Sequence, residues 1–421
     1  LVVFIGICQS VLTNRYPICK KNQYMIKINI KAEIDKNEYP LRVIYISSYF
    51  PRKCGIASFT KDLTTAVNNL NPLALAEIIA IDDNEEEYEY PWEVKTRIQK
   101  HDIQSYISAA HYINQSSADV VNLQHEFSLF GGTDGDYILL MMDLITKPIV
   151  TCFHSILPDP SEHRKYIIQK IIEKSATVIA MSETSRKLLV DVYGALDENA
   201  VLIYIGVPDF TFTATTEYKK KLNINTKNML LVMGLIGSGK GIEYVIQAMP
   251  AIIKEFPNTE FRIAGQTHPT VIKSGKDDYR EYLINLVKEN NLVSVVKFDN
   301  RYIPLDEFAE YYKACDIYLT PHLDPQQTSS YTLAYALGAG KACISTPYIY
   351  AKEMLANDVG VIVPFKDSQS ISNEVIAILK DENIYNKYRE NAYKFGRQMQ
   401  WSRIGYKYLK LLRLIKENIN A

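Results

Sequence analysis

The chain has 421 residues, 47% of them hydrophobic and 23% charged, with a formal net charge of −1. This is the balance of a globular protein of two or three domains, and without a block of Lys or Arg it argues against a nucleic-acid partner. The six cysteines (Cys8, Cys19, Cys54, Cys152, Cys315, Cys343) show no CxxC or zinc spacing, which predicts reduced thiols and a cytoplasmic chain.

The first residues, LVVFIGICQSVL, form an apolar run shorter than the ~20 residues of a membrane span. No charged segment precedes it and no clear small-residue cleavage site follows. Residues 1–40 are expected to be an extension outside the folded domains, open to disorder, with Met25 as a candidate start; the end of an export signal is the alternative reading of the apolar run.

A repeated grammar begins at residue 41: a short β-branched strand, a turn, an amphipathic helix. Strands are expected at 41–47 (LRVIYIS), 118–124 (ADVVNLQ), 148–153 (PIVTCF), 176–182 (ATVIAMS) and 200–206 (AVLIYIG). A helix begins near Ser58 after the PRKCGIA loop, and another ends at Gly194, a residue suited to a C-terminal stop. The acidic run DDNEEEYEY (82–90) reads as a solvated loop. Segment 207–221 (VPDFTFTATTEYKKK) has no hydrophobic period and reads as an interdomain linker. Strands then resume at 229–234, 259–265, 293–299, 315–321, 341–346 and 360–364. Alternation of this kind predicts an α/β fold of two doubly wound, parallel-sheet Rossmann-like domains facing across a cleft. The first spans 41–210 and the second 211–399. The tail from Asn391 onward is helical and is expected to pack back across both domains, residues 400–421 on the first.

Residues 234–241, GLIGSGKG, lie between a strand and a helix. They nearly spell the phosphate loop G-x-x-x-x-G-K-[ST], but Gly241 stands where the metal-holding hydroxyl belongs. With no acidic strand end to hold metal, a nucleotide triphosphatase is set aside. A glycine turn (Gly237, Ser238, Gly239) with Lys240 at a helix start suits a diphosphate without metal. A second anion site is expected at PQQTSSYTLAYALGAG (325–340), where Thr328, Ser329 and Ser330 open a helix.

His154, just past the strand PIVTCF, is expected to point into the cleft. His125 and Glu126 stand at another strand end, with Gly131 and Gly132 letting a substrate approach the backbone. Gly55, between strand and helix, presents amides to a sugar or phosphate. Asp134-Gly135-Asp136 spells D-x-D, read as a helix cap at Asp136 rather than a metal site.

Together these positions resemble the retaining glycosyltransferases of family four (glycosyl transferases group 1), from about residue 41 to the C-terminus. The resemblance implies the two-domain GT-B fold, with PRKCGIASF and GLIGSGKG as the glycine loops opening each domain. Lys240 matches the family's lysine, Leu235 replaces its arginine, and His154 matches its histidine. Counting back from Gly340 puts Gln327 and Tyr335 where the family has two glutamates, one touching the transferred sugar and the other the ribose. A bacterial subgroup without those glutamates spells similar segments: QHE-F--FGG, GVPD, G-THP and TSGTLAYA-GAGKA. Against it this chain has Tyr331 for Gly and Ile205 for His, and a ring at 331 is expected to block or reshape the donor site. WSRIGYKYL resembles the family's last helix.

The resemblance implies retaining, metal-independent transfer of a hexose from a nucleotide-diphosphate sugar to a carbohydrate or glycolipid acceptor. No cofactor is needed, and any membrane contact comes through the acceptor alone. The expected catalytic residues are His154, Lys240 and Gln327. The expected donor-binding residues are Gly55, Gly237, Ser238, Gly239, Lys240, Ser329, Ser330, Tyr331 and Tyr335. His125, Glu126, Gly131 and Gly132 are expected on the acceptor side. The alternatives are a sugar-nucleotide epimerase or phosphorylase on the same fold, or a non-catalytic relative that binds glycan or nucleotide.

Overall fold

A computed structural model describes residues 40–83, 88–267 and 277–419. The expectation for the N-terminal extension lies outside the described residues, as do His268 and Pro269 of the G-THP segment.

The first sheet has seven parallel strands in the order β3-β2-β1-β4-β5-β6-β7. They are β1 (Val43–Ser47), β2 (Glu77–Asp82), β3 (Val94–Gln99), β4 (Val120–His125), β5 (Ile149–Phe153), β6 (Thr177–Ala180) and β7 (Ala200–Leu202). The second has six in the order β10-β9-β8-β11-β12-β13. They are β8 (Asn228–Met233), β9 (Thr259–Ala264), β10 (Val296–Asp299), β11 (Ile317–Thr320), β12 (Ala342–Ser345) and β13 (Val361–Ile362). All the pairings in both sheets are parallel. The strands are apolar runs because helices cover both faces of each sheet. Strand order reverses between β1 and β4 and again between β8 and β11. These are the points where connections leave toward opposite faces and a crevice opens.

Strands β2 and β3 have no counterpart among the sequence expectations. β3 is an edge strand, VKTRIQ, with only Ile98 buried, so it carries no apolar run. The acidic run is not wholly a solvated loop either. Asp82 ends β2 fully buried, accepts from the Tyr90 hydroxyl at 2.5 Å and lies 3.7 Å from Arg97.

The segment 207–221 is also more than a linker. Val207 and Phe210 are buried, Thr216–Lys221 is helical, and the buried Lys219 pairs with Asp316 at 2.5 Å. The tail is two helices, Glu382–Gly396 and α1 (Trp401–Ile419), joined by a short turn. Val207 fastens that turn: its N–H donates to Met399 and its carbonyl accepts from Trp401. Helix α1 then lies along the helix Gly55–Leu70 of the first domain, where Gly405 sits against Ala66; a Cβ at Gly405 would come within 2.9 Å of it. One hydrophobic cluster runs without a break from under the first sheet to under the second. Among the described residues no helix is long and apolar enough to cross a membrane.

Candidate functional site

The loops after β8 and β11, which flank the switch point of the second sheet, carry most of the residues expected to bind the donor. Gly234–Gly241 leaves β8, makes a 3-10 turn over Ser238–Lys240, and enters the helix Ile242–Glu255. Gly241 is the helix N-cap at φ +63°, and a Cβ there would stand 2.1 Å from the Pro321 carbonyl. The missing hydroxyl of the phosphate-loop spelling thus has a steric cause: the chain after β11 occupies its place. Leu323 N–H donates to the Gly239 carbonyl at 2.9 Å, which ties the two loops together.

Between the domains lies a cavity of about 270 Å³. Lys240, Gln327, Ser329, Ser330, Tyr331 and Tyr335 line it, as do Gly55 and Leu235. Gly237, Ser238 and Gly239 do not; Ser238 and Gly239 turn to solvent, so the glycine turn meets the cavity through Gly234, Leu235 and Lys240. Burial pulls Lys240 down from its ordinary lysine value to about 8.

The second expected anion site divides its labour. Ser330 caps the helix Tyr331–Gly338, its side chain accepting from Leu333 N–H at 3.3 Å. Ser329 Oγ donates to the His154 carbonyl at 2.8 Å, and Thr328 Oγ accepts from Ile156 N–H at 3.1 Å. The Ser329 and Thr328 side chains thus bind the first domain, while Ser330 takes up an amide of its own helix. A further bridge is Glu353, whose carboxylate accepts from the Glu183 and Thr184 amides at 2.7 and 2.8 Å, at the start of helix Glu183–Asp191.

His154 does not open into the cleft. It is 3% exposed, edge-on to Phe59 at 5.1 Å, and bonded to Tyr331 through Nδ1. The expectation that Tyr331 crowds the phosphate loop is redirected. Its ring leaves that loop and crosses to the first domain, 3.7 Å from where a Cβ at Gly55 would stand. Tyr335 also reaches across, donating to Asp62 at 3.0 Å. Burial raises that carboxyl to about 6.

Of the residues expected on the acceptor side, Glu126 and Gly132 line a second cavity of about 330 Å³ with Arg164, His101 and Lys100. His125 is withdrawn from it: it is fully buried among Phe127, Phe130 and Phe153, and neither ring nitrogen has a hydrogen-bond partner among the described residues. Gly131 is needed because a Cβ would strike the Lys100 carbonyl at 1.9 Å. Asp134 pairs with Arg164 at 2.9 Å and His163 at 3.2 Å. Asp136 occupies the cap position of the helix Tyr137–Leu144, but its side chain makes no cap bond.

Sequence reasoning passed over His322, Tyr302, Gln266 and Trp401, all of which line the main cavity. His322 had a legible signal: it stands just past the strand CDIYLTP, the position that drew attention to His154.

Two Rossmann-like sheets facing one cleft, with a terminal helix returning to the first, make this the GT-B fold. Sucrose-phosphate synthase from Thermosynechococcus elongatus has the same architecture, with a TM-score of 0.72 at 17% identity over 89% of this chain and 99% of that one. HepE of Anabaena, solved with UDP and glucose, has a TM-score of 0.70 at 14% identity over 88% and 99%. Residues 214–395 match the family model Glycosyl transferases group 1, so the second domain is a domain of that kind. Phosphatidyl-myo-inositol mannosyltransferase of Mycolicibacterium smegmatis is 24% identical over 267 residues, 63% of this chain and 64% of that protein. The chain spans less than two thirds of the length of the curated relatives it matches first.

Proposed function

We propose that this protein is a glycosyltransferase that moves a hexose from a nucleotide-diphosphate sugar to a carbohydrate-type acceptor, with retention and without metal. The observation that carries this reading is convergence: Lys240 and the start of helix Tyr331–Gly338 meet, from separate loops, on one cavity between the domains. Cleavage of the glycosidic bond leaves negative charge on the departing diphosphate. Lys240 and the amides at Ser329 and Ser330 would stabilise that charge, and donors preorganised in this way supply much of the rate enhancement of many enzymes. Gln327 keeps one amide hydrogen for a sugar hydroxyl, because its Nε2 has two and gives one to the Ser329 carbonyl. His154 would orient the sugar once Tyr331 moves aside. The cavity around Glu126, Gly132 and Arg164 is where the acceptor, a glycan or glycolipid, would lie, and membrane contact would come only with such an acceptor. A relative named as a mannosyltransferase and a structural neighbour solved with UDP and glucose support the choice of hexose and donor class. Retention is implied by the family resemblance.

The test is incubation with UDP- and GDP-hexoses, reading release of the nucleotide diphosphate and the anomeric configuration of the product by NMR. A thermal-shift panel in which no nucleotide sugar raises the melting temperature defeats the proposal. One observation favours a second reading, a non-catalytic nucleotide- or glycan-binding relative: Tyr331 covers His154, the residue expected to meet the sugar. Binding of donor without any release of nucleotide diphosphate would select it.

A further inference from the structure

His322 leaves β11 into the cavity wall, 4% exposed, its ring stacked on Tyr348 at 5.2 Å and 21°. Its carbonyl accepts from Thr346 Oγ1 at 2.5 Å, so backbone and ring are both held. The hydrogen bonds around it fix its protonation state. Gln327 Nε2 donates to the Ser329 carbonyl at 2.7 Å, an acceptor that admits only the amide nitrogen. Gln327 Oε1 therefore faces His322 Nδ1, at 2.9 Å, and must receive a proton from it. With Nδ1 protonated and the ring neutral, Nε2 carries a lone pair, and Lys240 Nζ lies 3.4 Å from it. Burial, with the Lys240 ammonium adding to it, keeps the imidazole well below its ordinary value and so neutral.

The polarity of this chain runs one way, from the Lys240 ammonium through His322 and Gln327 to the Ser329 carbonyl. One end is the cation of the loop after β8, the other the helix start after β11. We propose that His322 is a positioning residue: it fixes the Lys240 ammonium relative to the helix start, so that both halves of the anion cradle are aligned before any ligand arrives. The inference rests on the donor reading above only for what the cradle binds. Placement of Lys240 can be tested on the ligand-free protein.

Among the described residues His322 is the titratable group bonded to Lys240. Glu243, on the following helix, is taken by the Tyr279 hydroxyl, and Asp324 caps the Gln326 amide. Removing the Nε2 acceptor withdraws a hydrogen bond to the charged form of Lys240, which lowers its proton affinity.

The experiment is competitive acetylation of Lys240 with acetic anhydride across pH, resolved by mass spectrometry, on the full chain. The wild-type midpoint is expected near 8. His322→Phe keeps the stacking on Tyr348 but loses both nitrogens, and its midpoint should fall by about one pH unit. His322→Gln returns an amide oxygen near the Nε2 position and should restore the midpoint; it also decides the matter if the Phe variant does not fold. An unchanged midpoint in His322→Phe, or a His322→Gln midpoint that stays displaced, overturns the role. UDP and GDP titrated by calorimetry give the second arm, with affinity expected to fall about tenfold in the Phe variant and to recover in the Gln variant. If the wild type binds neither nucleotide, the donor reading fails while the labelling midpoints still decide the role of His322. If it binds and the variants match it in both readouts, the donor reading stands and the positioning role does not.

Discussion

The Tyr331 hydroxyl donates to Nδ1 of His154 across the interdomain cleft. The direction follows from the other ring nitrogen. His154 Nε2 donates to Gln124 Oε1 at 2.8 Å, because the Gln124 amide nitrogen is committed to Asn122 at 2.5 Å. Tyr331→Phe would leave a buried acceptor unpaired without changing the shape of the cavity. We expect a loss of about 1–3 kcal/mol in urea unfolding. Tyr331→Gly removes the ring as well, uncovering His154, and should raise nucleotide-sugar affinity severalfold in calorimetry. Unchanged affinity would show that the ring does not stand in the donor's path.

Lys240 is the cation that the proposed function leans on most. Lys240→Ala should lower kcat about 10²-fold, the loss of ~3 kcal/mol of transition-state stabilisation. Its pH dependence has a definite sign. Burial brings the free amine to about 8, so the ammonium that attracts a diphosphate is present below that value and lost above it. Donor affinity measured from pH 6.5 to 9.5 should be flat at the acid end and fall through 8. In Lys240→Met the same range should be flat throughout.

How much of this could be read from the sequence depends on how local each signal is. Lys240 and the glycine turn were legible because eight consecutive residues spell them. The two sheets were legible because buried parallel strands are apolar runs, while the half-exposed edge strand Val94–Gln99 was not. Tyr331 could be seen as a departure from Gly, but not its direction, since a bond to a histidine 177 positions away depends on how the domains close. Glu353 was silent for the same reason: its partners are backbone amides 169 and 170 residues distant. His125 misled because a histidine at a strand end suggests chemistry, and only the surrounding phenylalanines show that it lies in the core.

Gly241 gives a prediction opposite to what its motif suggests. Gly241→Ser completes the phosphate-loop spelling, yet it places a side chain at φ +63° against the Pro321 carbonyl. The backbone strain alone costs about 1–2 kcal/mol, and the clash must also push the loop after β11 away from the glycine turn. We expect a lower melting temperature, weaker binding of nucleotide diphosphate, and no ATP or GTP hydrolysis. A stable variant that hydrolyses triphosphates would show that the loop's spelling, and not its packing, decides its chemistry.

His125 predicts how the fold responds to acid. Burial lowers its folded pKa to about 3, against about 6.5 in the unfolded chain. Above pH 6.5 both states are neutral and stability is full. As pH falls below 6.5 the unfolded chain takes up a proton that the folded one refuses, so stability declines, by about 1.4 kcal/mol per pH unit at the limiting slope. His154 shifts in the same direction, also to about 3, and adds to the decline. Carboxylates contribute too, so the informative quantity is a difference between variants. In His125→Phe, a ring of similar size enters the cage of Phe127, Phe130 and Phe153 and brings no nitrogen to leave unbonded. Urea midpoints at pH 7.5 should be equal to or above wild type, and the fall between pH 6 and pH 4 should be shallower by close to one proton's worth of slope. An identical pH profile would mean that His125 finds water or a partner in the folded protein, and that its position is less dry than its three phenylalanine neighbours make it.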